Sequence, residues 1–516
     1  MRRQDIQLLA QARQGDAAAR CEVGRRYLLG VQGFARHVPT GLDYLQHPSL
    51  AQDPAAARII AESLPLVDLL AMQQQPALAR AAAAGSMLAQ VRHAAWCAAA
   101  ADGLAEAKRW LALAAAQGHE AAGRCREALS DAQRENAVLV LWRTLHTSGD
   151  IDGPAVARLA AHQALAAGEL RHLAACLRAA LALADGLDSE LSTLLVAAVR
   201  LAETTGQVLH GLPADALRDS LEQRAAQGDR DAAYALGRGL CGIACEALPA
   251  DVFAAHQNMR KGAAFLLRAA DAGCDAAWLH LYRLHADHRL SVANPQLARF
   301  FLEKAALRGQ PEAQRKLGAL LLREAAALPE SEMAIGWLHQ AAAAGDTHAV
   351  TLLQSLVLPV GDDDAEAVFA VEQVRRSDPW LAHRLSLARA FGLTKLEALC
   401  VDVVDGLRPW GLVVGKNPFI AQARLSAPRA IPAVSDAALG TAQRAAAFFG
   451  QSRGESGASE GDLRSRSLRQ RRLFDRLGLD DAMFFADATS MTLESLRLGA
   501  KWAHRAKAPL SLALAS

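Results

Sequence analysis

Seven copies of one short cassette constrain the fold more than any other feature of the chain. The plainest three are RAADAGCDAAWLHL, KAALRGQPEAQRKL and QAAAAGDTHAVTLL, whose glycines, Gly273, Gly309 and Gly345, lie 36 residues apart. The same cassette recurs around Gly15, Gly85, Gly118 and Gly228, at spacings of 70, 33, 110 and 45 residues that approximate whole periods with loops of varying length. Positions not used to find the register test it. Four residues after the glycines stand Ala19, Ala89, Ala122, Ala232, Ala277, Ala313 and Ala349; seven before stand Leu8, Leu78, Leu111, Leu221, Leu266, Leu302 and Leu338. Eight before, four copies carry an aromatic: Trp110, Phe265, Phe301 and Trp337. Alanine supplies 115 of the 516 residues, so one coincidence would mean little, but seven alanines matched by seven independent leucines mark a repeat.

The spacing dictates the unit. About 13 residues before each glycine have the 3.6-residue period of a helix, with Leu and the aromatic facing inward. Glycine supplies the left-handed residue that ends that helix. Asp229, Asp275 and Pro311 then stand where a second helix begins. The alanine four places on lets helices approach closely. Such a pair cannot bury its own apolar face and must stack on its neighbours. Alanine is favoured in helices and depleted from strands, and aromatics make up only 5% of the chain, which excludes a large sheet. With 56 basic and 54 acidic residues the net charge is +2, so no global field points to nucleic acid or membrane.

This pattern resembles the Sel-one-like repeat (SLR) family, relatives of the tetratricopeptide repeats. The family's small residue in the first helix corresponds to Gly318 in LGALL and Gly237 in YALGRGL, and its W/F-L-x-x-A-A-x-x-G string to WLALAAAQG, FLEKAALRG and WLHQAAAAG. The resemblance covers 216–358 strongly, 77–130 well, 1–35 fairly and 131–215 weakly, where Gly168 persists but His172 replaces the alanine. It implies an all-α, right-handed α-α superhelical solenoid of antiparallel helix pairs, here with a mostly helical non-repeat C-terminal region. It also implies protein–protein binding in the concave groove. A branch of the family with a regular cysteine pair in each repeat does not fit, because the eight cysteines of this chain do not recur with the period.

The expected organisation is N-terminal repeats over 1–130, degenerate helical repeats over 131–215, the main array over 216–358 and a helical/extended capping region over 359–449. A Gly/Ser-rich flexible linker (450–462) and basic C-terminal helices (463–516) follow. Asp362, Asp363 and Asp364 should cap a further helix. The proline-rich span 407–435 reads as an extended segment on the last helices or a small strand pair. Two helices are expected near 463–478 and 491–506.

No signal peptide or membrane-spanning segment is expected, since no run reaches ~18 uncharged apolar residues. The cysteines read as reduced, mostly buried thiols of a cytoplasmic protein. His280, His285 and His288 invite a metal reading, but a spacing of five and then three residues splits them between helix faces, and no cysteine completes the set. Cys241 and Cys245 would need further ligands. LARAFGLTKLEAL has the spacing of a helix-turn-helix, yet its second helix offers Lys395 followed by Glu397, Leu399 and Asp402 rather than base-reading groups. No nucleophile elbow, phosphate loop or carboxylate pair stands out, so neither catalytic, cofactor nor metal residues are assigned and a non-enzymatic role is expected.

Two binding surfaces remain. First-helix residues offset from the core should line the concave face and take a protein or peptide: Arg315, Lys316, Leu352 and Gln354, with the two cations exposed. The tail from Asp462 to Ala508 has ten basic residues against six acidic, five of them arginines within 464–472. It reads either as a solvated helix face or as the contact for an anionic partner through Arg469, Arg471 and Arg472. The leading expectation is an interaction scaffold or adaptor; the alternative is a nucleic-acid-associated regulator that uses the tail.

Overall fold

The computed structural model describes residues 3–131, 136–361, 364–418, 420–421, 425–453, 460–497 and 507–515. The described chain is helical apart from one small sheet, and it divides into two compact units, Met1–Cys274 and Asp275–Ser516. That division falls inside the expected 216–358 array.

The junction between pairs is built as the sequence requires. All seven cassette glycines have positive φ, from +78° at Gly309 to +103° at Gly15. A Cβ at any of the seven would meet nothing within 4 Å, so glycine is needed there for its backbone conformation and not for space. The next residue caps the following helix. Asp16, Ser86, Asp229 and Asp346 accept hydrogen bonds from the backbone N–H of Ala19, Ala89, Ala232 and Ala349, at 2.7, 3.3, 3.0 and 2.9 Å. The repeated alanine is therefore the third residue of the helix, where its N–H meets the cap and its methyl packs inward. All seven are buried, none more than 6% exposed. The repeated leucines are buried too, except Leu8, which is partly covered in the first pair.

In two of the pairs a glycine of the first helix is a socket for the repeated leucine of the second. A Cβ on Gly318 would stand 2.8 Å from Leu338 Cγ and 2.9 Å from the Ala334 carbonyl oxygen; one on Gly237 would stand 2.8 Å from Leu266 Cγ. Backbone thus packs on backbone, the geometry that small residues permit. Junctions between pairs stay short (272–274, 308–310, 344–346), while loops within pairs run over 241–258, 287–294 and 325–327. The 36-residue period survives the short 325–327 loop because Pro311–Glu324 and Leu328–Ala343, at 14 and 16 residues, are longer than Asp275–Ala286 and Pro295–Leu307, at 12 and 13.

Helices also fill the weakly matching stretch of the first unit: Ala137–Thr147, Gly153–Ala167, Leu170–Leu183 and Ser189–Thr205. Gly168 keeps its left-handed conformation. His172, in place of the small residue, donates from Nε2 to the Ala99 carbonyl at 2.6 Å, so a hydrogen bond stands where close helix approach would.

In the second unit the proline-rich span forms an antiparallel three-stranded sheet in the order β1 (Leu407–Arg408), β2 (Gly411–Val414), β3 (Arg429–Pro432). Leu412 pairs with Ile431 and Val413 with Ala430. The two-residue alternation of strands then divides the core. Leu412, Val414 and Ile431 face a cluster with Leu385, Phe391, Phe474 and Phe484, whereas Val413, Ala430 and Trp410 face one with Ile335, Leu338 and Leu352. The sheet is the wall between the last repeats and the C-terminal core, combining both expected readings of this span.

Two expectations need correction. The 450–462 linker is anchored at both ends: the Asp436–Arg453 helix runs into it, and Glu460 is buried in an ion pair with Arg384 at 2.5 Å. Residues 454–459 lie outside the described residues, as do Asp362 and Asp363. The single closing helix at 491–506 is instead a short Ser490–Ser495 helix and a separate Lys507–Ala515 helix, with 498–506 outside the described residues.

Candidate partner-binding surfaces

The first surface lies on Pro311–Glu324 and Thr347–Gln354, the first helices of two successive repeats. Residues 313–319 are buried without a break, including Gln314, Arg315 and Lys316. An amphipathic repeat helix would leave one of its faces open. The Lys507–Ala515 helix packs against both first helices, and its Leu510 and Ala513 enter the cluster that holds Leu352 and Leu353.

Arg315 is the hinge pin of this arrangement. Its Nε donates to Asp346 Oδ2 at 2.8 Å, and its Nη1 donates to the Ala513 carbonyl. Asp346 simultaneously caps the 347–354 helix. A carbonyl in the last turn of a helix has no partner within that helix, and it carries the negative end of the dipole, so a buried guanidinium suits it on both counts. Lys316 pairs with Glu312 at 3.4 Å and lies over the Tyr282 ring, 5.7 Å from its centroid. Burial lowers its pKa, partly offset by Glu312. The expectation that Arg315 and Lys316 are exposed is therefore corrected: the tail helix and Asp346 enclose the first, Glu312 and Tyr282 the second. Leu352 is fully buried, and only Gln354 of this group faces solvent.

The second surface is the Leu463–Leu477 helix. Asp462 caps it and Gly478 ends it in the left-handed conformation. Gln470, Leu473 and Phe474 form its buried side, against the C-terminal core. Arg466 turns inward, donating to the Leu399 carbonyl at 2.9 Å and pairing with Glu460 at 3.3 Å; burial and nearby Arg384 lower its pKa. Arg469 is half tethered, to the Glu460 carbonyl at 2.6 Å and to Asp378 at 3.4 Å. Arg464, Arg471 and Arg472 are exposed and make no ion pair among the described residues. The helix is thus docked by its apolar edge and basic on its outer face.

The remaining candidates fall into structural roles. Burial pushes the thiols of Cys97, Cys125 and Cys241 up to about 11 and that of Cys176 to about 12, which leaves almost no thiolate at neutral pH. The His285 ring packs on Phe301 with centroids 5.2 Å apart, and no group of three or more His, Cys, Asp or Glu among the described residues is placed to hold a metal. The helix-turn-helix spacing resolves into Pro379–Phe391 and a six-residue helix, Lys395–Cys400, buried from Glu397 onward, in which Glu397 pairs with Arg429 at 2.7 Å. A cleft of about 870 Å³ is lined by Val368, Val371, Arg375, Arg389 and Thr441. No helix among the described residues is long and apolar enough to cross a membrane.

Sequence reasoning missed the Lys507–Ala515 helix. Its signal was present but faint: Leu510, Ala513 and Leu514 stand at i, i+3 and i+4, and these are the residues it turns inward.

No protein-family profile and no curated protein matches the chain. Among solved structures it is similar to c5321, a protective antigen present in uropathogenic Escherichia coli strains and described as displaying an SLR fold. The identity is 15% over 91% of this chain and 94% of that one, with a TM-score of 0.29. It is also similar to a Sel1 repeat protein from Oxalobacter formigenes, at 20% identity over 68% of this chain and 89% of that one, with a TM-score of 0.26. The repeat architecture described above stands on the register of the cassette and on its junction geometry.

Proposed function

We propose that this chain is a non-catalytic, cytoplasmic scaffold of SLR-like helical repeats that binds a protein or peptide partner on the face carried by its first helices. One observation supports this most. The positions that define the repeat are spent on packing, whereas the sixth place after the glycine varies and in four copies reaches solvent at least in part, as Arg124, Tyr234, Leu279 and Thr351; Cys21, Val91 and Arg315 at the same place are buried. A constant framework carrying a variable side-chain row on the same helix is how a repeat protein acquires a specific surface.

The test is capture from native extract by the immobilised full chain. The reading expects a protein to be retained by wild type and by Arg471→Glu/Arg472→Glu, and lost with Thr351→Arg/Gln354→Arg, both exposed positions on the 347–354 helix. Retention that ignores the second pair and collapses with the first would make the tail the binding site and the array a platform.

The exposed Arg464, Arg471 and Arg472 support a second reading, a regulator that touches nucleic acid through the 463–477 helix. It expects binding of a duplex probe to weaken steeply with salt, and the slope to fall on reversing these arginines.

A further inference from the structure

We propose that the cleft of the second unit binds a small amphipathic anion, a fatty-acid-type carboxylate whose chain lies among valines and alanines and whose carboxylate sits between Arg375 and Arg444. The helices Asp364–Ser377 and Asp436–Arg453 both pack on Pro379–Phe391, and the cleft of about 870 Å³ opens over that shared helix. Its volume is that of a site for a small organic ligand. The cleft stands apart from the first-helix face, so the inference goes beyond the scaffold reading and does not depend on it.

The described residues that line the cleft divide into two chemistries. Side chains four apart share a helix face, so one turn along each helix changes the character of the wall. Val371 gives way to Arg375, Ala390 to Ser386 and Ala437 to Thr441. At the apolar end Val368 and Val434 also line the cleft, and both keep apolar surface in water, at 70% and 36% exposure. An alkyl chain laid there would remove that surface from solvent.

The polar end is cationic. Arg444 donates to Thr441 Oγ1 at 3.0 Å, which holds its guanidinium at the rim. Arg375 makes only a loose pair with Glu372, at 3.7 Å between two half-exposed side chains. Such a pair contributes little, so a ligand carboxylate can displace it. The half-buried His383 ring, stacked on Phe448 with centroids 4.4 Å apart, senses both cations: burial lowers its pKa first, and Arg375 and Arg444 lower it further. Two guanidinium groups thus act on one point, and a carboxylate answers guanidinium with paired hydrogen bonds. A neutral chain would leave that charge unanswered, and a purely polar anion would gain nothing from the valines.

Octanoate, kept below its micelle-forming concentration, is titrated into the full chain by calorimetry, with octanol and acetate as controls. The expected result is one saturable site for octanoate, at least tenfold weaker binding of octanol and none of acetate. Arg375→Gln/Arg444→Gln should weaken octanoate at least tenfold and leave octanol unchanged, whereas Val368→Asp, at an exposed position, should weaken both at least tenfold. No saturable octanoate binding, or equal binding by wild type and the double arginine variant, would overturn the proposal. Association with anionic phospholipid vesicles in the absence of an octanoate site would make a lipid surface the ligand and would also overturn it. Should a variant misfold, a photo-reactive fatty carboxylate on wild type decides. Adducts are expected within 364–377 and 434–441, and adducts confined to other segments would overturn the proposal.

Discussion

Gly318 and Gly345 are both intolerant of a side chain, for different physical reasons. At Gly318 a methyl group would lie 2.9 Å from the Ala334 carbonyl oxygen, so the two helices must separate, and Gly318→Ala is expected to destabilise the chain by about 1–3 kcal/mol through overpacking. At Gly345 nothing lies within 4 Å, but φ is +90°, and Gly345→Ala should cost about 1–2 kcal/mol through backbone strain alone. Urea unfolding distinguishes neither mechanism by itself. A compensating Leu338→Ala change, however, should ease the first substitution and leave the second unaltered. The fully buried Ala313 and Ala349 belong with Gly318: either one changed to Leu should cost about 1–3 kcal/mol, and wild-type stability in both would show the helix register to be wrong. Arg315 was legible in the sequence as a first-helix residue off the repeat core, but its burial was not. What covers it lies some two hundred residues away in sequence, at Ala513, beyond the reach of any local period. Reversing it to Glu is accordingly expected to lower stability by about 3–5 kcal/mol, the cost of breaking a buried pair, where an exposed residue would show almost no change.

Among elements, the repeat helices were the most legible because their period, their glycines and their caps agree. The strands were half legible: GLVV announced extended structure, but the partner β3 is supplied from beyond a long intervening segment. The basic helix expected near 463–478 is found at Leu463–Leu477, yet which of its arginines turn inward depends on Glu460, whose position no local pattern fixes. Reversing Arg464, Arg471 and Arg472 to Glu should change the melting temperature little, since exposed substitutions move stability by only ~0.5 kcal/mol. Reversing Arg466 should change it greatly, and thermal melts of the two variants compare them directly. In the first unit, hydrogen bonds from Arg25, against the opposing effect of burial and with help from Arg26, hold the Glu22 carboxyl down at about 2. A carboxylate whose pKa is lowered on folding contributes stability above its unfolded value of 4.5, and that contribution is lost as pH falls towards 2. Unfolding free energies measured between pH 5 and 2.5 should therefore fall less steeply in Glu22→Gln than in wild type.

At the scale of the whole molecule the positions that the cassette repeats support the fold, and the proposed recognition falls to the first-helix face. The sequence could disclose the scaffold because a framework must recur to stack. It could not disclose the partner, since the residues at the sixth place after each glycine follow no period, and whether one is exposed, as Thr351 is, or buried, as Arg315 is, depends on distant segments. A photo-reactive amino acid placed in the full-length chain at Gln354, and separately at Arg472, tests this division directly, since both positions are exposed and neither supports the core. After irradiation in native extract, the account predicts a discrete protein adduct from Gln354 and none from Arg472. An adduct formed only from Arg472, whether to protein or to nucleic acid, would contradict it.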